Sequence, residues 1–334
     1  MSEPAVWPNR GEILAMAGGF RGACVLGAAA ELDLFGVLPE EGLSAEGVAG
    51  RLDCDLRATR TLLDALVALR LLEKREDKYS VPGELRPLVV EGTAQTILPM
   101  IRHMTNVLRA WSQLAWAAKA GIPAPRPASI RGFEGDREAF IGGMHSISGP
   151  VAADLVGRIA PPPFRHLLDV GGASGTWTIA FLEAVPGSRA TIFDLPDAIQ
   201  LARQRFAGTE LAERVALVAG DFYRDELPAG ADFAWVSAIA HQHSRQHNRE
   251  LFAKVCRALE PRGWIALRDV VMEPCRTRPA EGALFAINML ANTDSGGTYT
   301  YEEFADDLQR AGFVGPELRV KSEDMNSVVV AKRP

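Results

Sequence analysis

The chain has 334 residues, of which 47% are hydrophobic and 23% are charged. This length and composition predict a globular protein with more than one domain. The net charge of −6 argues against sequence-independent nucleic-acid binding, which relies on clustered Lys and Arg side chains facing phosphates. No apolar run reaches the roughly 18 residues of a membrane helix, and no basic segment precedes an apolar stretch at the start. We expect a cytoplasmic protein that binds neither nucleic acid nor membranes.

The first 92 residues are predicted to form a helical domain with a winged-helix pattern. Apolar residues recur at helical spacing from 19 to Gly36. Ser44 and Asp55 occupy N-cap positions before a short and a longer helix, and two short extended segments around a charged turn follow at 71–82. Leucines dilute the arginines of the longer helix, which favours packing and dimerisation over DNA binding.

Residues 93–160 are predicted to be bridging helices, interrupted by the Pro-rich segment 121–129. This region is rich in bulky apolar side chains, and we expect some of them to contribute to a substrate pocket. From residue 161 to 334, short apolar runs alternate with helical stretches, and the chain ends in a hairpin. This alternation predicts an α/β domain with a doubly wound, mostly parallel sheet.

A glycine-rich turn follows the first predicted strand of this sheet, in the segment LLDVGGASGTW (167–177). Gly171, Gly172 and Gly175 let a ligand approach the backbone closely, but their spacing does not fit the dinucleotide pattern G-x-G-x-x-G. Asp169 at the strand end would repel a pyrophosphate and attract an ammonium or sulfonium group. The segment therefore predicts a site for S-adenosylmethionine, which carries both cations.

Two further acids are predicted at the ends of the next two strands. Asp194, followed by Leu195, suits hydrogen bonds from both ribose hydroxyls. Asp221 could meet the adenine amino group while Phe222 covers the ring face. One such aspartate could be a helix cap, but three on successive strands favour a cofactor site.

Several segments together resemble the plant and bacterial small-molecule O-methyltransferases, which include the caffeic acid and acetylserotonin O-methyltransferases. They are DVGGASG, FDLP, GDFYRDELP, the histidine of SAIAHQHS, ALEPRGWIALRD and FIGGMHSIS (140–148). The resemblance implies a secondary-metabolism enzyme with a seven-stranded class I methyltransferase sheet and a homodimer formed through the N-terminal domains. It also implies that Ser148 lies near the methionyl end of the cofactor and Met144 near the substrate. The cofactor contacts that it implies are Gly171, Asp194, Asp221, Phe222 and Ser237.

The sequence departs from the family pattern at four places. Ala173 replaces the third glycine of the turn, and Ser237 stands where plant members often have lysine. Gln242 and His243 replace the usual Asp-Trp pair after the histidine, and Thr298 replaces a glutamate of the plant enzymes. These changes leave open a homologue that binds the cofactor but methylates nitrogen or carbon, or catalyses decarboxylation, hydroxylation or a rearrangement. A winged-helix regulator that senses the cofactor is a further alternative.

His241 is the candidate general base, because it follows the fourth strand at the edge where open α/β sheets bind ligands. A neutral imidazole suits removal of a hydroxyl proton. Asp269, at the end of the fifth strand, could accept the other ring N–H. The alternatives are a structural loop histidine at 241 and pairing of Asp269 with Arg268.

The segment LFAINMLANT (284–293) follows the fifth strand and is predicted to face the small-molecule acceptor. Its candidates are Phe285, Asn288, Met289 and Asn292, although a helix interior explains Met289 equally well. His243 and His247 could share a helix face with a metal, but no nearby Cys or clear carboxylate set completes a zinc site, so we expect none. The four cysteines are isolated and are expected to be reduced thiols.

Overall fold

A computed structural model of the chain describes residues 7–334. Within it the chain divides into two compact units. One comprises the described residues up to Leu108 together with Pro127–Ser146, and the other comprises Arg109–Arg126 together with Ile147–Pro334. The three-part division at residues 92 and 160 stays a prediction.

The N-terminal part of the chain is helical, with one small sheet. Its elements are α1 (Arg10–Gly18), α2 (Phe20–Glu31), α3 (Leu34–Val37), β1 (Leu43–Ser44), α4 (Ala45–Leu52), α5 (Leu56–Ala68), β2 (Glu73–Arg75), β3 (Lys78–Ser80), α6 (Arg86–Val89) and α7 (Leu98–Trp111). The strands pair antiparallel in the order β1-β3-β2. Ser44 and Asp55 accept hydrogen bonds from Gly47 and Ala58 as N-caps of α4 and α5, so the winged-helix pattern is confirmed.

The helix predicted to run to Gly36 is interrupted. Helix α2 ends at Glu31, and Asp33 adopts the left-handed conformation with φ of 59°, which ends one helix before the next begins. The expectation of no long apolar stretch was also wrong. Among residues 7–334, the helical stretch Arg10–Glu31 is long and apolar enough to cross a membrane by length and composition alone. Alanines and glycines extend it, with Arg21 as the only charge between Glu12 and Glu31.

The second unit contains a seven-stranded sheet. Its strands are β4 (His166–Val170), β5 (Arg189–Asp194), β6 (Val215–Ala219), β7 (Ala231–Ser237), β8 (Leu259–Asp269), β11 (Val314–Val320) and β12 (Ser327–Lys332), while β9 (Val271–Met272) and β10 (Tyr299–Thr300) form a separate parallel pair. The order is β11-β12-β8-β7-β4-β5-β6. Strand β12 pairs antiparallel with both β8 and β11, and the remaining pairs are parallel, which confirms the predicted sheet.

Seven further α-helices complete the structure of residues 7–334. They are α8 (Leu114–Ala120), α9 (Gly132–Ile159), which crosses between the two units, α10 (Thr176–Ala184), α11 (Pro196–Phe206), α12 (Arg245–Ala258), α13 (Ala280–Asn292) and α14 (Tyr301–Arg310). Of these, α10, α11, α12 and α14 pack against this sheet. Alternate strand residues pack on opposite faces, as the twofold strand period requires. Phe233 and Trp235 join one core cluster with α10, while Ala234 and Val236 join another with α12 and α14. Because β4, β5, β6, β7 and β8 run parallel, their carboxyl ends meet at one edge of the sheet.

Candidate active site

The glycine turn after β4 adopts a conformation that depends on its residue types. Gly171 and Gly175 have φ of 67° and 76°, a region that glycine enters without steric cost. A Cβ atom on Gly175 would lie 2.5 Å from the Phe206 ring, so a side chain is excluded there. Ala173 also has positive φ, at 44°, where the family pattern has glycine. The turn therefore brings its backbone close to any ligand at this edge.

Asp194 joins this turn to the end of β5. Its two carboxylate oxygens accept the backbone N–H groups of Ala173 and Leu195, each at 2.7 Å. Burial raises the pKa of Asp194. A carboxylate has about four acceptor positions and the backbone uses two, so Asp194 keeps capacity for hydroxyl donors. The structure thus brings Asp194, Leu195 and the glycine turn together.

Asp169 lies directly beneath the turn. It is buried, and its Oδ2 accepts a hydrogen bond of 2.6 Å from the Thr178 hydroxyl on α10. A Cβ atom on Gly172 would lie 2.7 Å from the Asp169 carboxyl carbon, so only glycine allows this close packing. Burial raises the pKa of Asp169 to about 7, against the opposing effect of the Thr178 hydrogen bond. A cation nearby would favour the ionised form.

Asp221 and Phe222 lie beyond the third strand. The strand predicted to reach them ends at Ala219. The N–H of Gly220 still donates to the carbonyl of Asp194 on β5, but the N–H of Asp221 donates to the Asp225 carboxylate instead of to the sheet. Asp221 accepts the N–H of Tyr223 at 2.9 Å, and the Phe222 ring lies 5.0 Å from the Tyr223 ring. Asp221 and Phe222, the two predicted adenine contacts, therefore lie in a turn after the strand.

Ser237, at the end of β7, accepts a hydrogen bond of 3.1 Å from Arg268. The Arg268 guanidinium also donates to Asn326 and lies over the Trp177 ring at 4.6 Å. Burial lowers its pKa to about 10. In the described structure Arg268 and Asp269 form no ion pair, so the alternative pairing is not observed.

Asp269 instead pairs with His241. The Nδ1 atom of His241 lies 2.9 Å from Oδ1 and 3.1 Å from Oδ2 of Asp269, and the His241 backbone N–H donates to the same carboxylate. The N–H of Val270 donates a further hydrogen bond at 2.8 Å. Both side chains are almost fully buried, with 6% and 2% exposed. The carboxylate therefore fixes the position and the tautomer of the imidazole.

The second ring nitrogen of His241, Nε2, has no hydrogen-bond partner within the described part of the chain. The ring of Phe285, on α13, packs edge-on against the imidazole with centroids 4.8 Å apart. A neutral imidazole held at Nδ1 carries a lone pair at Nε2, the arrangement that a general base requires.

The polar residues Asn288 and Asn292 of α13 hydrogen-bond each other and side chains outside this helix. Trp111 Nε1 donates to Asn288 at 2.9 Å, Asn292 donates to Asn288, and Arg126 donates to Asn292 at 2.9 Å. Met289 is buried. The structure consequently shows Asn288 and Asn292 bonding protein groups, and their contact with an acceptor stays a prediction.

Met144 and Ser148 lie one turn apart on α9. Ser148 is buried, whereas Met144 is half-buried in the first unit. Their predicted positions beside the substrate and the cofactor stay predictions.

His243 and His247 both lie against the ring of Tyr223. His243 is buried, its Nδ1 bonds the Tyr223 hydroxyl, and burial lowers its pKa to about 4. His247 is exposed, and its ring centroid lies 6.0 Å from that of Tyr223. Within residues 7–334, no group of three or more His, Cys, Asp or Glu side chains is arranged to hold a metal ion.

Sequence reasoning missed Arg205, which supports the glycine turn. Its Nη1 donates to the Ser174 carbonyl at 3.2 Å and to the Thr176 hydroxyl at 2.9 Å. Arg205 lies near the end of α11, about thirty residues further along the chain, so no local pattern indicates this contact. Its sequence signal is only an arginine in the last helical turn.

Comparison with known proteins finds O-methyltransferases that match nearly the whole chain. Residues 102–314 match the O-methyltransferase domain, and residues 14–83 match the O-methyltransferase dimerisation domain. The tetracenomycin polyketide synthesis 8-O-methyltransferase of Streptomyces glaucescens is 32% identical over 91% of each chain. The 3-hydroxy-5-methyl-1-naphthoate 3-O-methyltransferase of Streptomyces sahachiroi is 30% identical over 86% of this chain and 84% of its own. Human N-acetylserotonin methyltransferase in complex with S-adenosylmethionine has a similar fold, with a TM-score of 0.79, 24% identity and 99% of each chain covered.

Proposed function

This chain belongs to the O-methyltransferase family and uses S-adenosylmethionine to methylate a hydroxyl group of a small molecule, and on that basis we propose that His241 is the general base. The observation that carries the proposal is the buried His241–Asp269 pair, in which Nδ1 is held at 2.9 Å while Nε2 has no hydrogen-bond partner among residues 7–334. Asp269 is proposed to orient the ring and to stabilise the imidazolium that forms when Nε2 accepts the hydroxyl proton.

The cofactor supplies a methyl group already activated on a sulfonium, so the protein must position the acceptor and remove its proton. The residues at the sheet edge fit such a cofactor. Gly171, Gly172 and Gly175 provide a turn without side chains, and the buried Asp169 would be ionised beside a positive charge.

The proposed cofactor contacts follow the strand order. Asp194, with Leu195 beside it, is proposed to accept the ribose hydroxyls, because its carboxylate has unused acceptor positions at the turn. Asp221 and Phe222 are proposed to contact adenine, and Ser237 to line the same side. Ser148 is proposed to lie near the methionyl end.

The acceptor is proposed to be an aromatic molecule with a ring hydroxyl. A phenolic hydroxyl loses its proton more easily than an aliphatic one, which suits an imidazole base. Phe285 beside His241 offers an aromatic edge to such a ring. The two Streptomyces relatives are named for a polyketide and a naphthoate acceptor, which supports this class. Met144, Asn288, Met289 and Asn292, and the bridging helices of residues 93–160, are proposed to shape the rest of the pocket.

The chain carries a dimerisation domain and forms a homodimer. We place the interface on the N-terminal domain of residues 1–92, in a cytoplasmic protein that binds neither membranes nor nucleic acid. Leu14, Met16 and Phe20 of the apolar stretch are more than half exposed in the single chain, and a partner subunit would bury them. Light scattering of a Leu14→Glu variant should report monomer, whereas an unchanged dimer would put the interface elsewhere.

Replacement of the base tests the catalytic proposal. Release of S-adenosylhomocysteine would first identify an acceptor among phenols and hydroxylated polycyclic compounds. His241→Ala should then keep its affinity for S-adenosylhomocysteine, while turnover should fall by about 10²–10⁴-fold, the usual contribution of a general base. Parental turnover in this variant across pH 6–9 would make His241 structural.

A further inference from the structure

The turn that carries His241 is very short. It is a single 3-10 turn, Ala240–Gln242, between β7 and α12. The hydrogen bonds to Asp269 fix the ring and one backbone N–H, but a three-residue turn has few internal hydrogen bonds to fix its carbonyl groups. The groups that hold those carbonyls therefore contribute, together with Asp269, to the position of Nε2.

The loop before α14 supplies the partner of one carbonyl of the turn and of the carbonyl of His243, the residue that follows the turn. The N–H of Gly297 donates to the carbonyl of His241 at 2.8 Å, and the Tyr299 hydroxyl donates to the carbonyl of His243. A Cβ atom on Gly296 would lie 2.4 Å from the His241 carbonyl oxygen, so glycine permits this close approach. The loop therefore holds the backbone at His241 and two residues beyond it.

Tyr299 is itself held in a rigid setting. It belongs to β10, where it pairs in parallel with Val271 of β9. Strand β9 begins two residues after Asp269, the last residue of β8, so Tyr299 is paired with the segment that directly follows the residue orienting the ring. Arg276 donates to the carbonyl of Thr298 at 2.6 Å and anchors the same loop.

The Tyr299 hydroxyl also keeps the proton with which it donates this hydrogen bond. The side chain is buried and packs edge-on against Phe304, with ring centroids 5.6 Å apart. Burial raises the pKa of Tyr299 to about 12, with Asp307 and Glu303 acting in the same direction. Its O–H consequently stays protonated throughout the neutral range.

We infer that Tyr299 is a positioning residue for the general base, holding the turn through the His243 carbonyl so that His241 Nε2 keeps its place during proton transfer. This inference rests on the proposed role of His241. Tyr299 would support the histidine from a loop in which Thr298 replaces the glutamate of the plant enzymes.

Tyr299→Phe removes the hydroxyl and keeps the ring, and Tyr301→Phe is its matched control. Tyr301 also donates to a backbone carbonyl, that of Pro316 at 2.7 Å, but it does not contact the His241 turn. We expect Tyr299→Phe to lower kcat by about tenfold or more, since a displacement of about 1 Å can cost 10²-fold. Its affinity for S-adenosylhomocysteine should be unchanged, and Tyr301→Phe should keep the parental kcat.

A double-mutant cycle separates positioning from general destabilisation. In a His241→Ala background, Tyr299→Phe should cause no further loss, because the base through which it acts is gone. Gly296→Ala, whose Cβ would push the His241 carbonyl, should show the same pattern and carries the test if Tyr299→Phe fails to bind S-adenosylhomocysteine. Additive losses, or parental kcat in both single variants, would overturn the inference. If His241→Ala itself kept parental turnover, the proposed function would fail first.

Discussion

Asp169 and Thr178 share a hydrogen bond of 2.6 Å beneath the glycine turn, in a part of the protein where the carboxyl group has almost no contact with water. The hydroxyl stabilises the carboxylate, but burial has the larger effect and raises the pKa of Asp169 from 3.8 to about 7. Since the unfolded chain has no such burial, the folded and unfolded states differ in proton binding between these two values.

The first prediction concerns stability against pH. From about pH 4 to about pH 7, the folded state holds a proton on Asp169 that the unfolded state has lost. This group's contribution to the free energy of unfolding should therefore fall as pH rises, by at most about 1.4 kcal/mol per pH unit. Urea unfolding of Asp169→Asn and of the parent should show the variant gaining relative stability over this window. Parallel curves from pH 4 to pH 7 would contradict the raised pKa.

The second prediction concerns cofactor binding. A cation beside Asp169 favours its ionised form, so binding of S-adenosylmethionine near pH 6 should release up to one proton per site. S-adenosylhomocysteine lacks the sulfonium and should release less. Calorimetry in buffers of different ionisation enthalpy measures this number, with Asp169→Asn as the control. Equal proton release by the parent and by the variant would remove Asp169 from the cofactor site.

The third prediction concerns the ion pairs between α12 and α14. Asp307 has no exposed side-chain surface and accepts hydrogen bonds from Arg245 and Arg249. Asp307→Ala should lower the free energy of unfolding by about 3 kcal/mol. This value is the low end of the range for a broken buried ion pair, and it is chosen because both arginines are about one third exposed.

Asp306→Ala is the matched control for this variant. Asp306 pairs with the same two arginines, but its side chain is 41% exposed. Its loss should cost much less than that of Asp307, because exposed ion pairs contribute little to stability. Denaturant unfolding that gave both variants the same stability would show that burial of Asp307 adds nothing.

Most of the fold follows from local sequence. Fully buried parallel strands are continuous apolar runs, so β4, β5, β7 and β8 can be recognised directly in the sequence. His241 and Asp269 could be paired because parallel strands present their carboxyl ends at one edge. Element boundaries are harder, as Asp33 shows, because a left-handed residue other than glycine has no strong local signal.

The partners of polar side chains could not be predicted in the same way. Arg268 lies beside Asp269 in sequence but bonds Asn326, 58 residues away. Asn288 suits an acceptor contact by its position on α13, yet its amide oxygen accepts from Trp111, 177 residues earlier. Such choices depend on which groups the completed fold brings within hydrogen-bond distance, and no spacing within a segment encodes them.

The last prediction concerns the orientation of the base. Asp269→Asn removes the charge that stabilises the imidazolium and offers an amide that can donate as well as accept. Part of the His241 population should then adopt the tautomer with the proton on Nε2, which cannot accept the hydroxyl proton. We expect a fall in kcat smaller than that of His241→Ala, with unchanged affinity for S-adenosylhomocysteine.

A series of phenols of increasing acidity provides the measurement. For His241→Ala the loss in kcat should shrink as the acceptor becomes more acidic, because such acceptors need less help in losing the proton. Asp269→Asn should follow the same trend with a shallower slope, since a weakened base is still present. A loss that was constant across the series in both variants would mean that neither residue takes part in proton removal, and that the buried pair only holds the end of β8 against the turn after β7.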